Sequence, residues 1–260
     1  MIVQPLVRSM LYPAPPIAVP SPPPTPLHEV HLPLPDGGHA VAWAGGADAS
    51  AGAPGVLFFH GNGENLETMR LAGTFEAIGE LGVAWLAVDY PGYGQSTGKP
   101  SEESLSAAAD AALAWAEEHW PERPVAAVGW SLGAATAVGL AGRAGGRLDG
   151  LAALSPWTTL PDVARHHFPL PLLGTIMSER YETLAVAPSL RLPALVVHGA
   201  RDTIIPVEQG RCVAEALPRA QYVEIATAGH NDLLAHGVVW DALGELLASL
   251  QPPRQTGQSS

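Results

Sequence analysis

The sequence predicts an α/β fold in which a mostly parallel sheet is covered by helices on both faces. Three observations carry this. Short apolar runs alternate along the chain with longer segments of helical spacing, the pattern of strand–helix repeats. Two of the runs, Val56-Leu57-Phe58-Phe59-His60 and Val125-Ala126-Ala127-Val128-Gly129-Trp130, lack the polar alternation of a half-exposed strand and read as central strands buried on both sides. The chain has 260 residues, of which 47% are hydrophobic, enough to bury one large core in a single domain.

The first 27 residues stand apart. Pro5, Pro13, Pro15, Pro16, Pro20, Pro22, Pro23, Pro24 and Pro26 exclude a helix or central strand, so residues 1–27 are expected to be extended, lying on the domain or loose in solvent. A spacer is the commoner use of such a segment and a peptide-recognition ligand the rarer one. From residue 28 to 250 regular alternation sets in. Val30–Leu34 and Ala40–Trp43 flank a turn at Asp36-Gly37-Gly38 and read as a hairpin. Val56–His60 follows, then a helix over Leu66–Leu81 and a strand over Val83–Val88. Ser101 opens a helix with Glu102 and Glu103 in its first turn, where they suit the dipole, and Pro121 stops it. Strands follow at Val125–Trp130, Leu151–Leu154, Ala194–His198 and Gln221–Ile225, which makes eight. Helices over Glu208–Leu217 and Asn231–Leu250 complete the set, the last with an apolar face of Leu233, Val239, Leu243, Leu246, Leu247 and Leu250. A short cap insertion occupies about residues 156–188, and the polar tail 251–260 is expected to be disordered.

Charge and cysteine content narrow the function classes. With 25 acidic and 13 basic side chains the net charge is -12, and no basic cluster interrupts it. Nucleic acid and anionic membrane surfaces are therefore not expected as partners. The single Cys212 excludes an internal disulfide and reads as a small buried residue on a helix. Met1–Leu11 is apolar but too short to span a membrane, and no signal peptide or clear membrane anchor follows. A cytoplasmic location is the resulting expectation. The sequence carries no signal of oligomeric state.

In a parallel sheet the functional loops gather beyond the carboxyl ends of the strands. At the end of the fifth strand stands Gly129-Trp130-Ser131-Leu132-Gly133, followed by a run of small, helix-forming residues. A sharp strand-to-helix turn of this kind lifts the serine side chain out of the sheet and demands small neighbours. Ser131 is the candidate nucleophile; the bland alternative is a helix-capping serine. After the third strand comes His60-Gly61-Asn62-Gly63-Glu64-Asn65, whose glycines let backbone N–H groups approach a ligand. The main-chain N–H groups of Asn62 and Leu132 are the candidate oxyanion donors, and His60 reads as a structural side chain orienting the loop. Asp89 and Ser96 in Asp89-Tyr90-Pro91-Gly92-Tyr93-Gly94-Gln95-Ser96 read as loop-stabilising, with Tyr93 bordering the site. Asp202 follows the seventh strand in His198-Gly199-Ala200-Arg201-Asp202, and His230 follows the eighth in Gly229-His230-Asn231-Asp232. The chain order is thus Ser131, Asp202, His230, with His230 taking the serine proton and Asp202 fixing the imidazole tautomer.

These pieces resemble the α/β-hydrolase fold superfamily over about residues 28–250. The HGN loop and the GHND ending are similar to the ABHD-type and serine-aminopeptidase-like hydrolases, a group that includes membrane-associated depalmitoylases. The resemblance implies an eight-stranded sheet, Ser131 as nucleophile, Asp202 as acid, His230 as base, and Asn62 and Leu132 as oxyanion donors. In the cap, Trp157, Phe168 and Met177 either line an acyl pocket or pack the insertion onto the core. The adjacent His166 and His167 have no third ligand and diverge, so no metal is expected, and no cofactor. The expected activity is cleavage of a small carboxylic ester or thioester through an acyl-enzyme. A peptidase or amidase on the same triad, and a non-catalytic binding protein, are the alternatives.

Overall fold

The computed structural model describes residues 11–167 and 177–250. Phe168, most of the central part of the cap, residues 1–10 and the 251–260 tail lie outside these. Eight strands form one sheet in the order β1-β2-β4-β3-β5-β6-β7-β8. They are β1 His28–Pro33, β2 His39–Gly45, β3 Gly55–Phe59, β4 Ala84–Val88, β5 Val125–Trp130, β6 Gly150–Leu154, β7 Ala194–Gly199 and β8 Ala220–Ile225. Only the pairings of β2, with β1 and with β4, are antiparallel; β4, β3, β5, β6, β7 and β8 pair in parallel. The hairpin turn closes where Leu34 N–H donates to Gly38 O at 2.9 Å and the Asp36 carboxylate accepts Gly38 N–H at 2.9 Å.

The helices are α1 Leu66–Leu71, α2 Thr74–Glu80, α3 Glu102–His119, α4 Leu132–Arg143, α5 Leu160–His167, the single turn α6 Thr183–Val186, α7 Val207–Ala216 and α8 Gly237–Ala248. The two-residue period of a strand divides the core into two halves. Val56 and Phe58 of β3, with Ala126, Val128 and Trp130 of β5, point to one face, where α1, α2 and α8 cover them with Leu66, Met69, Phe75, Ile78, Val239 and Leu243. Leu57 and Phe59, with Val125 and Ala127, point to the other, under Leu105, Ala108 and Leu113 of α3, Leu132 and Val138 of α4 and Val213 of α7. Central strands β3, β4, β5, β6 and β7 are buried along their whole length. That explains why their sequences carry no polar alternation.

Two helices differ from expectation. The segment 66–81 is two helices, because Gly73 adopts φ +78°, a left-handed conformation that ends α1 and that glycine reaches without a side-chain penalty. Residues 231–236 are not part of the last helix. Leu233–Ala235 forms a 3₁₀ turn and His236 is extended, so α8 begins only at Gly237. The Asp232 carboxylate takes the Gly229 N–H at 2.7 Å, which folds residues 229–232 into a tight turn instead of a helical one. Cys212 is also corrected: it is exposed on α7, because it lies off the face that buries Val213.

Residues 12–27 form no helix or strand; they follow the domain surface through bends and a turn in which Leu27 N–H donates to Pro24 O at 3.0 Å. Tyr12 and Val19 are buried against the domain, as their apolar surface dictates. No helix among the described residues is long and apolar enough to cross a membrane.

Candidate active site

The β5–α4 junction places Ser131 at φ 56°, ψ −113°, a conformation that costs an L-residue on the order of 1–3 kcal/mol. Packing enforces it. A Cβ at position 129 would lie 2.0 Å from Gly133 O, and one at position 133 would lie 1.9 Å from Phe59 O. Glycine at both places lets the start of α4 abut the ends of its own strand and of neighbouring β3. Ser131 N–H is held by Leu154 O on β6 at 2.8 Å. The side chain therefore projects from the carboxyl rim of the sheet.

Two other rim loops meet it there. The turn after β8 delivers His230, whose Nε2 lies 3.0 Å from Ser131 Oγ. The loop after β7 delivers Asp202, whose Oδ2 lies 2.7 Å from His230 Nδ1. An ionised carboxylate only accepts, so Nδ1 carries the proton and Nε2 is left free to accept from the serine hydroxyl. Asp202 is fixed on its other side as well, where Oδ1 accepts the N–H groups of Ile204 at 2.9 Å and Ile205 at 2.7 Å. His198, fully buried at the end of β7, donates from Nε2 to Ile205 O at 3.0 Å and stands 3.3 Å from Asp202 Oδ2. Burial opposes ionisation of Asp202, but hydrogen bonds from His198, His230 and the Ile205 N–H outweigh it and hold the carboxyl well below the usual carboxylate range. Ser131, Asp202 and His230 are 6%, 8% and 8% exposed, so this chain of bonds is shielded from water. The Trp130 ring lies 5.3 Å from that of His230, centroid to centroid, and confines the imidazole.

The loop after β3 sits beside Ser131 because Phe59 is in register with Gly129 across the β3–β5 pairing. Gly61 lies under the Trp130 ring and gives its N–H to Glu64 Oε2 at 2.9 Å. Burial raises the Glu64 carboxyl above the ordinary glutamate range, against the opposing influence of His60, the Gly61 N–H and His230. Asn65 caps α1 by accepting Thr68 N–H at 2.9 Å. Between them, the N–H groups of Asn62 and of Leu132, the first residue of α4, donate to no acceptor among the described residues. They stand at a helix start and a glycine-flanked loop, where negative charge is favoured.

Among the described residues, none of the remaining sequence candidates is hydrogen-bonded to Ser131, Asp202 or His230. His60 lies beneath the loop with Nδ1 bonded to Gly61 O at 2.8 Å and Nε2 3.3 Å from Asp89 Oδ1, both side chains fully buried. Asp89 takes the Leu66 N–H at 3.0 Å, and Ser96 bridges Val41 N–H and Asp89 O, both at 2.8 Å. Neither is hydrogen-bonded to Ser131; they fasten loops to strands. Tyr93 is fully buried, its ring 5.5 Å from that of His60, and its hydroxyl donates to the Asn62 side chain at 2.8 Å. Trp157 is buried edge-on to Tyr181, with ring centroids 5.9 Å apart, and Met177 is buried. His167 Nε2 donates to Ile204 O at 2.8 Å, tying α5 to the Asp202 loop. Among the described residues no group of three or more His, Cys, Asp or Glu side chains is placed to hold a metal ion. Sequence reasoning did not single out His198 or Glu64. For His198 the only available signal was a polar residue closing an otherwise apolar strand.

A topology with one antiparallel strand near its edge and a strained serine turn after β5 defines a class, and the family model for the alpha/beta hydrolase fold matches residues 54–176. The chain belongs to the α/β-hydrolase fold superfamily. An uncharacterised protein of Mycobacterium tuberculosis is 35% identical over 218 residues, covering 82% of this chain and 76% of its relative. The alpha/beta hydrolase domain-containing protein aho-3 of Caenorhabditis elegans is 31% identical over 195 residues, 72% of this chain and 55% of that protein. Among solved structures, the Pyrococcus furiosus esterase Pf2001 superposes with a TM-score of 0.75 at 20% identity, over 92% of this chain and 97% of the esterase.

Proposed function

We propose that the chain is a serine hydrolase that cleaves a carboxylic ester or thioester through an acyl-enzyme. The observation that carries this is the unbroken relay from Ser131 Oγ to His230 Nε2, 3.0 Å, and from His230 Nδ1 to Asp202 Oδ2, 2.7 Å. In the first half-reaction His230 Nε2 takes the hydroxyl proton as Ser131 Oγ forms a bond to the substrate carbonyl carbon. Asp202 stabilises the imidazolium without itself being protonated. The carbonyl oxygen becomes an oxyanion, received by the N–H groups of Asn62 and Leu132. Collapse of the tetrahedral species expels the alcohol or thiol, which leaves with the proton from His230. In the second half-reaction water gives its proton to His230 and attacks the acyl group, and Ser131 recovers its hydroxyl. The esterase name of the Pyrococcus structural neighbour is in keeping with acyl-ester chemistry.

The test is a fluorophosphonate probe applied to the wild-type chain and to Ser131→Ala, read by mass spectrometry. Modification at Ser131 alone is expected, with none in the variant. Labelling elsewhere, or none on folded protein, overturns the reading. Parallel rates on p-nitrophenyl esters of increasing chain length, the matching thioesters and aminoacyl anilides assign the leaving-group class; faster turnover of anilides than of esters would make the protein an amidase.

A further inference from the structure

The proline-rich segment meets the rim at three points of one kind. The side-chain amides of Asn62, Asn65 and Gln95 each donate to a main-chain carbonyl of the segment: to Leu11 O at 2.6 Å, Ile17 O at 2.7 Å and Val19 O at 2.6 Å. Pro13, Pro15 and Pro16 have no N–H to offer, so a segment of this composition docks through its carbonyls, and donors must come from the domain. All three donors lie on the loops that follow β3 and β4. The buried Tyr12 adds a fourth point, its hydroxyl 2.8 Å from that of Tyr181. Tyr181 in turn is fixed to α3, where Glu102 Oε1 accepts its N–H at 2.9 Å.

Asn62 is held at both ends of its amide. Nδ2 donates to Leu11 O, and Oδ1 accepts the Tyr93 hydroxyl at 2.8 Å. Burial raises the Tyr93 pKa, so that hydroxyl remains a donor across the working pH range. The Asn62 N–H lies between Gly61 and Gly63, the two most permissive neighbours a backbone donor could have. Donors to a developing oxyanion act only if their positions are set before the charge appears. Gripping the side chain at both ends fixes that backbone in place of the rigidity the glycines give up.

We propose that residues 11–19 are a strap that sets the position of the oxyanion loop, and that Asn62, gripped by the Leu11 carbonyl and the Tyr93 hydroxyl, is the positioning residue through which it acts. This rests on Ser131 being the nucleophile and the Asn62 N–H an oxyanion donor.

The experiment compares kcat, KM and fluorophosphonate labelling stoichiometry for the full chain and for Asn62→Ala, Tyr93→Phe, the pair of them, and Tyr12→Ala. Loss of an oxyanion donor costs roughly 10²–10³ in rate, so a misplaced one is expected to lower kcat roughly tenfold in Asn62→Ala. KM should stay within about twofold, because ground-state binding is not touched. Tyr93→Phe is expected to lose less, and the pair no more than Asn62→Ala alone, since both act through one side chain. Tyr12→Ala unhooks the strap away from the loop and is expected to lower kcat while labelling remains stoichiometric. Wild-type kcat in Asn62→Ala and Tyr93→Phe, or losses that multiply in the pair, overturn the proposal. So does a fall in kcat that only tracks the fraction of protein still labelled, the mark of a merely structural role. If Asn62→Ala does not fold, Tyr93→Phe and Tyr12→Ala decide the matter. An active wild type with indifferent variants defeats the strap alone. A wild type that neither labels nor hydrolyses esters defeats the hydrolase reading, and the strap with it.

Discussion

Asp202 sits between two imidazoles and beneath two backbone N–H groups, and its depressed pKa follows from that environment. The linkage has a definite sign. The folded carboxyl ionises below its unfolded value of about 3.9, so its contribution to stability is complete above that pH and is lost as pH falls toward the folded value. Melting temperatures of the wild type and Asp202→Asn, measured from pH 7 down to pH 3, are therefore expected to converge as the pH falls. A gap that stays constant or widens contradicts the assignment. The same substitution keeps the shape of the side chain but turns one acceptor oxygen into a donor. That would favour the wrong tautomer of His230, so kcat is expected to fall by up to roughly 10⁴-fold with near-ultraviolet circular dichroism unchanged. Near wild-type turnover would remove Asp202 from the relay. At this scale the sequence was most legible where chemistry and position coincided: Ser131, Asp202 and His230 each follow a strand end. His198 was not legible, because the feature that matters is its 3.3 Å approach to Asp202, and nothing in a run of apolar residues ending in histidine encodes which way that ring will face.

Element by element, α4 shows how one substitution changes sign within a single helix. Gly133→Ala drives a methyl group into the main chain of β3, 1.9 Å from Phe59 O, where neither partner can move without displacing the sheet. It is expected to destabilise the protein by about 1–3 kcal/mol, and to lower kcat by shifting Ser131. Gly139 lies two turns further on, and a Cβ there would meet only the end of the flexible Arg143 side chain, at 3.2 Å. Gly139→Ala is expected to stabilise by about 0.5–1 kcal/mol through helix propensity. Urea unfolding of the two variants checks both signs, and like-signed effects would reject the steric account. The central elements were legible because their period is written in the residues: β3, β4, β5, β6 and β7 are apolar throughout, and Ser101 opens α3 with a capping box to Ser104. Over residues 66–81 and 231–250 the helical spacing extends further than the helices do. Helical spacing persists through Gly73, and a left-handed glycine or a local Asp232–Gly229 bond interrupts a helix without disturbing its apolar pattern.

Across the whole molecule, a two-faced core and a parallel sheet force the loops after β3, β5, β7 and β8 to one rim, and the strap crosses that rim by way of the loops after β3 and β4. Residues 99 apart, Ser131 and His230, become hydrogen-bond partners as a consequence of topology alone. The strap depends on similar separations, 51 residues between Asn62 and Leu11 and 76 between Gln95 and Val19. The sequence by itself determined the alternation of strands and helices, the chain order of serine, aspartate and histidine, and a proline-rich start with few N–H groups to offer. Those properties are local: they follow from side-chain periodicity, from which residues tolerate a turn, and from a missing N–H. Only the tertiary structure decided that the proline-rich carbonyls meet the Asn62, Asn65 and Gln95 amides, that the Tyr93 hydroxyl donates to Asn62, and that a second histidine stands against Asp202. Such pairings are selected by the geometry of the packed sheet and of the loops at its rim, which bring together residues that no local pattern in the sequence connects.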